Sequence, residues 1–180
     1  MRIRLLVPVA MLLLAAGAAG AQVPSITLFG GAVVPTGDAG DGLNTGLTVG
    51  GALDVHVPAT AFGARFEGSW SRFGLQGLTS GVSANTTDLG FNLNAVMTVV
   101  NAGLIKPYLT AGPSYSNLKL SESDGTNSGS ASEGHFGFNA GGGIDFGLGG
   151  LGARLDVRYK HISMDGGSWT SVPVTFGIRF

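Results

Sequence analysis

The stretch Leu47-Thr48-Val49-Gly50-Gly51-Ala52-Leu53-Asp54-Val55-His56-Val57 decides how this chain reads. Leu47, Val49, Gly51, Leu53, Val55 and Val57 fall on one face of an extended segment, and Thr48, Gly50, Ala52, Asp54 and His56 fall on the other. Successive side chains of a strand point to opposite sides, so apolar–polar alternation marks a strand lying between two unlike environments.

The pattern repeats along the chain. In Ala61 to Arg72, Phe62, Ala64, Phe66 and Trp70 oppose Arg65, Glu67, Ser69 and Ser71. In Asp88 to Val99, Leu89, Phe91, Leu93, Ala95, Met97 and Val99 oppose Asp88, Asn92, Asn94 and Thr98. In His135 to Leu148, Phe136, Phe138, Ala140, Ile144, Phe146 and Leu148 oppose His135, Asn139, Asp145 and several glycines. In Leu151 to His161, Leu155, Val157 and Tyr159 oppose Arg154, Asp156, Arg158 and Lys160. The last segment sets Val172, Val174, Phe176, Ile178 and Phe180 against Ser171, Thr175 and Arg179.

Two segments are less regular. Ile26 to Pro35 is apolar on both faces and glycine-rich. Pro107 to Leu120 alternates at first, then shifts parity at Leu118 and Leu120, as a bulge or the start of a loop would make it do. Together these segments predict eight strands, each long enough to cross a bilayer, which takes about 9–11 tilted residues.

The connectors alternate in length. Those after Pro35, in Gly74 to Thr87 and in Asn117 to Gly134 are long, with Ser163 to Ser168 intermediate; those at Pro58-Ala59, Asn101-Ala102-Gly103 and Gly149-Gly150 are short. Short turns on one side and long loops on the other are the pattern of outer-membrane barrels. Gly-Gly is a favoured two-residue hairpin turn.

Composition narrows the class. Of 180 residues only 12% are charged, 44% are hydrophobic and 32 are glycine. So little charge is unusual for a surface wholly in water, and so much apolar content argues against disorder. Cysteine is absent, which excludes disulfides, thiolate metal sites and a cysteine nucleophile. No basic run exists, so nucleic acid is excluded as a partner.

Residues 1–21 read as a cleaved signal peptide. Arg2 and Arg4 precede the apolar run Leu5 to Ala16, and Ala19-Gly20-Ala21 supplies the small residues a peptidase needs. A retained helical anchor fits less well, because the run is short and carries Pro8. Cleavage leaves 8 basic residues (10 minus Arg2 and Arg4) against 11 acidic ones. Residues 22–180 then form the barrel domain. They contain no apolar run of about 18 residues, so only a closed barrel could meet lipid.

Which face turns outward is decided by the polar side. It is mostly Gly, Ala, Ser, Thr and Asn, small residues suited to the interior of an eight-stranded barrel. Its charges balance: Arg65, Arg154, Arg158, Lys160 and Arg179 against Asp54, Glu67, Asp88, Asp145 and Asp156. Charges withdrawn from water need partners, so equal numbers predict a paired lumen network. Trp70, Tyr108, Tyr159 and Trp169 are candidates for an interfacial girdle. The expected fold is all-β, an eight-stranded antiparallel up-and-down transmembrane barrel. Its expected partner is outer-membrane lipid, including lipopolysaccharide.

The C-terminal segment Val172-Pro173-Val174-Thr175-Phe176-Gly177-Ile178-Arg179-Phe180, taken with Lys106-Pro107-Tyr108-Leu109-Thr110-Ala111-Gly112 and Arg154-Leu155-Asp156-Val157-Arg158-Tyr159, resembles the small outer-membrane barrel superfamily. That superfamily includes the opacity proteins and the outer membrane protein A and X barrels. The resemblance implies a location in the bacterial outer membrane and a C-terminal Phe180 read by the barrel-assembly machinery. It implies a non-enzymatic structural role, or contact with an unidentified partner through surface loops. No appended peptidoglycan-binding domain is expected after Phe180. Passage of small or hydrophobic compounds is an alternative, known among small relatives, that would need an apolar lumen or a lateral opening.

Arg158-Tyr159-Lys160-His161-Ile162-Ser163 is similar to the His-x-Ser segment of lipid A deacylases. His161 would act as base and Ser163 as nucleophile. The resemblance is incomplete: Met164 stands where that family has Asn, and no Glu follows Ser163. No cofactor is expected. Asp38-Ala39-Gly40-Asp41-Gly42-Leu43-Asn44 lacks the spacing and closing Glu of a calcium loop. Gly141-Gly142-Gly143 lacks the Lys-Ser/Thr of a phosphate loop. Asn85-Thr86-Thr87 reads as a chance sequon, and His56 and His135 as members of the polar face.

Overall fold

The computed structural model describes residues 24–37, 43–74, 83–100, 103–123, 128–148, 151–164 and 167–180. The signal segment, residues 38–42 of the first loop, residues 101–102, the Gly149-Gly150 turn and Asp165 lie outside the described residues. The strands are β1 (Ser25–Thr36), β2 (Gly46–His56), β3 (Phe62–Gly74), β4 (Ser83–Thr98), β5 (Ile105–Ser123), β6 (Ser128–Leu148), β7 (Leu151–Met164) and β8 (Gly167–Arg179). Each pairs antiparallel with the next, and β8 closes onto β1. The barrel is therefore all-β and closed. Closure gives every strand a hydrogen-bonded neighbour on both sides, which is what hydrocarbon requires.

The two chain ends share a rim: Ile26 and Phe180 exchange both backbone hydrogen bonds, at 3.1 and 2.8 Å. The turn between β2 and β3 is on this rim, where Thr60 Oγ1 donates to the Val57 carbonyl at 2.9 Å and Ala59 takes the left-handed conformation at φ 58°. The opposite rim carries the long connections.

Alternation holds throughout, but two expectations need correction. The parity shift at Leu118 is not a bulge. The β4–β5 register is continuous from Thr98↔Tyr108 to Ser83↔Ser123, and β5–β6 from Ile105↔Phe146 to Ser123↔Ser128. Leu118 simply sits at an inward position high on the strand, where the demand for polar interior residues has ended. For the same reason residues 117–123 and 128–134 are strand and not loop. β5 and β6 run on as a hydrogen-bonded hairpin, because backbone pairing continues after the bilayer no longer dictates which side chains face out. β4 and β8 likewise begin earlier than alternation suggested, at Ser83 and Gly167.

The faces are inverted relative to a water-soluble barrel. Leu28, Val49, Phe66, Phe91, Leu109, Phe138 and Phe176 are exposed, whereas Asp54, Arg65, Glu67, Asn94, Ser114, Asn139 and Arg158 are buried. The buried apolar residues include Val33, Leu43 and Phe73, gathered inside the long-loop rim with Trp169 packed edge-on to Phe73 at 5.4 Å. β1 contributes Phe29 to the lumen as well, which explains why its sequence looked apolar on both faces.

Glycines make room for the large interior side chains. A Cβ at Gly50 would meet the Phe29 ring at 2.4 Å, and one at Gly90 would come within 3.1 Å of Lys160 Nζ. A Cβ at Gly143 would sit 2.6 Å from the Tyr108 hydroxyl and 2.1 Å from the Leu155 carbonyl. In so narrow a lumen an Arg or Tyr fits only where a neighbouring strand gives up its side chain.

Candidate functional site: the charged lumen and the outer wall

Eight charged side chains from five strands form one unbroken chain of ion pairs through the lumen. It starts at the short-turn rim, where Arg179 of β8 reaches Asp145 of β6 at 3.0 Å. Asp145 also receives Arg154 of β7, through Nε at 2.6 Å and Nη2 at 3.0 Å. Arg154 Nη1 crosses to Asp54 of β2 at 2.8 Å, and Asp54 receives Arg65 Nε of β3 at 2.7 Å. Arg65 Nη1 bonds Asp156 of β7 at 3.3 Å, and Asp156 receives Arg158 Nε. Arg158 Nη2 ends the chain on both oxygens of Glu67 in β3, at 2.9 and 2.8 Å. Lys160 and Asp88 make a separate pair at 2.8 Å, higher in the barrel.

Neutral groups complete the network. The Tyr108 hydroxyl donates to Asp156, and its ring lies 4.8 Å from the Arg65 guanidinium and 5.3 Å from that of Arg154. Asn92 donates to Glu67 at 3.0 Å, Ser114 to Asn92 at 2.7 Å, and Asn139 to Ser114 at 2.9 Å and to Asn94 at 2.8 Å. Alternate carboxylates and guanidiniums meet because the registers place them so: Asp54↔Arg65 on β2–β3 and Asp145↔Arg154 on β6–β7 are direct cross-strand partners. Buried charges linked in this way stabilise one another only as a set. Removing one member leaves its partner desolvated and unpaired.

Little free space remains around the chain. The void beside Glu67, Arg158 and Lys160 holds about 30 Å³, and that between Arg65 and Arg154 about 10 Å³. A water needs roughly 10–15 Å³, so the first void fits about two waters and the second about one. Below them, a vestibule of about 530 Å³ lined by His56, Lys106, Asp145 and Arg179 opens at the short-turn rim.

All ten predicted lumen residues lie inside the barrel, nine of them buried and Arg179 half-buried. Two of the four girdle candidates do not face lipid. Tyr108 is buried in the network, and Trp169 packs inward on Phe73. Parity carried the signal in both cases: Tyr108 precedes outward Leu109, and Trp169 lies two residues before inward Ser171. Trp70 and Tyr159 are on the outer wall. The polar partners Asn92, Asn94, Ser114 and Asn139 carry no charge, so charge counting could not single them out.

His161 and Ser163 are on the outer wall near the long-loop end of β7. Two residues apart on a strand, their Cα atoms are separated by roughly 7 Å. Among the described residues no hydrogen bond joins them and no carboxylate pairs with His161, whose ring packs on Phe138 at 5.2 Å. His56 lines the vestibule, and His135 lies 3.5 Å from Glu133 at the long-loop end of β6. Among the described residues no cluster of three or more acidic or His side chains could hold a metal.

A family model described as the outer membrane protein beta-barrel domain matches residues 5–180. Comparison with curated proteins finds no match. Among solved structures, the chain is similar to the Neisserial surface protein A (NspA), with a TM-score of 0.62 and 15% identity, covering 87% of this chain and 95% of that one. It is also similar to Ail, the attachment invasion locus protein of Yersinia pestis, solved in complex with the heparin analogue sucrose octasulfate. There the TM-score is 0.55 and the identity 15%, with coverage of 87% of this chain and 96% of that one. At such identity the likeness concerns the fold.

Proposed function

Because the chain belongs to the outer membrane protein beta-barrel domain family, and so to the bacterial outer membrane, we propose that it is a non-enzymatic, closed-lumen barrel whose role is structural or is exercised through its surface loops. The outer apolar wall holds it in lipid. The ion-pair chain from Arg179 to Glu67 holds the barrel shut and ties together the five strands that supply it. Hairpins such as β5–β6, which stand clear of the bilayer, would present the contact surface to a partner outside. Cleavage of residues 1–21 and recognition of Phe180 by the assembly machinery belong to the same reading.

The observation that carries it is the unbroken network, flanked between Arg154 and Glu67 by voids of about 30 and 10 Å³. Small solutes would have to displace charges that have no other partners. Planar-bilayer recordings of the purified barrel are expected to show no stable open state, and a reproducible conductance would overturn the closed-lumen reading. The hydrolase alternative has less support, since among the described residues His161 and Ser163 share no hydrogen bond and no carboxylate pairs with His161. Lipid A from cells expressing wild type or Ser163→Ala should give identical mass spectra. A deacylated species present only with wild type would reinstate it.

A further inference from the structure

The outer wall is almost free of charge, and its exceptions are adjacent. Among the residues whose side chains are described, the outward-facing positions of the eight strands carry two charges, Arg72 of β3 and Lys119 of β5. Both are cations and both lie near the long-loop rim. The registers bring them to one level: Arg72 pairs with Thr87 of β4, and Thr87 pairs with Lys119. With neighbouring strands about 4.8 Å apart, the two cationic residues stand roughly 10 Å from each other with Thr87 between them.

The surroundings define the level in the membrane. One outward step toward the short-turn rim, the wall turns apolar with Trp70 on β3 and Leu89 on β4, and further down Phe91 and the tilted Tyr115–Phe136 ring pair continue it. Beside the cations the wall is polar, with Asn117 accepting from Ser132 at 2.8 Å and Thr87 Oγ1 donating to the Lys119 carbonyl at 3.4 Å. On the far side of the barrel the corresponding positions of β7, β8 and β1 are uncharged, among them Ser163, Thr170, Val172 and Thr36. A single lipid-facing site therefore combines acyl-chain footing below with two cations and hydroxyl groups above.

We infer that Arg72, Thr87 and Lys119 form a lateral seat for the phosphorylated disaccharide headgroup of one lipid A molecule in the outer leaflet, its acyl chains lying along Trp70 and Leu89. The inference rests on the outer-membrane placement proposed above, with the long hairpins facing outward. A lipid is the occupant because the row opens sideways into the bilayer. A soluble protein or free phosphate would have to reach it through the lipid layer. Cations held at a headgroup surface attract anionic lipid, and guanidinium binds phosphate through paired hydrogen bonds.

The test uses the full barrel folded in phosphatidylcholine nanodiscs. Binding of fluorescent bisphosphorylated lipid A is measured for wild type, Arg72→Ala/Lys119→Ala and Arg72→Lys/Lys119→Arg, with dephosphorylated lipid A and phosphatidylglycerol as competitors. Wild type is expected to prefer bisphosphorylated lipid A, and the double alanine variant to lose about thirtyfold in affinity. The charge-preserving variant should keep most of the affinity, and wild-type binding should weaken as salt rises. Equal binding by wild type and the alanine variant would overturn the inference, as would equal competition by phosphatidylglycerol. Heat-modifiable gel mobility separates the two levels: a folded barrel that does not discriminate sinks the seat alone, whereas failure to insert into lipid sinks the membrane reading beneath it. Should the alanine variant misfold, the salt dependence and competition of the wild type still decide.

Discussion

Replacing Glu67 by Ala tests the physical claim at the centre of the barrel. Glu67 accepts both bonds from Arg158 Nη2, at 2.9 and 2.8 Å, and one from Asn92 at 3.0 Å. The Arg158 and Glu67 side chains are each only 5% exposed. Without Glu67, Arg158 keeps Asp156, but that carboxylate already serves Arg65 and Tyr108. The lumen then holds one uncompensated positive charge, with only the small void beside it and the space left by the side chain to admit water. Breaking a buried pair in this way costs about 3–5 kcal/mol, against roughly 0–1 kcal/mol for an exposed pair. The assay is urea unfolding of the barrel in lipid vesicles, followed by tryptophan emission, with the denaturant slope required to stay unchanged. The double substitution Glu67→Met/Arg158→Met removes both charges and leaves Asp156 paired with Arg65. It should recover most of the loss, since apolar replacement of a buried pair is often neutral. A cost below about 1 kcal/mol for Glu67→Ala would refute the reasoning, because it would mean that water already reaches the guanidinium.

Three further outcomes use the same titration. Leu93→Arg, on the lipid face midway along β4, should cost about 2–4 kcal/mol, whereas Leu47→Arg near the long-loop rim should cost about 0–1 kcal/mol; equal costs would contradict the assigned depth. Tyr108→Phe keeps the ring over Arg65 and Arg154 but removes the hydrogen bond to Asp156, so a loss of roughly 1.5–3 kcal/mol is expected, and a neutral result would show that the phenol is not part of the network. Gly143→Val would drive its side chain into the Leu155 carbonyl and the Tyr108 hydroxyl. Refolding should then yield no heat-modifiable band, and a fully folded variant would show that the lumen is looser than described.

The alternation in Leu47 to Val57 and its repeats determined by itself the strands, the two faces and the inverted placement of charge. Side-chain direction along a strand has period two, and a bilayer outside with a narrow lumen inside reads that period directly. Balanced charge on the small-residue face likewise announced that Asp54, Arg65, Glu67 and the rest would need one another. What only the tertiary structure decided is who meets whom. Arg158 and Glu67 lie far apart in sequence and pair across the lumen, a contact set by closure of the barrel and not by any local pattern. Tyr108 and Trp169 turned inward because register, not residue type, fixes the direction of a side chain. The β5–β6 hairpin outran its alternation because, outside the bilayer, backbone pairing continues with no hydrocarbon left to sort its side chains.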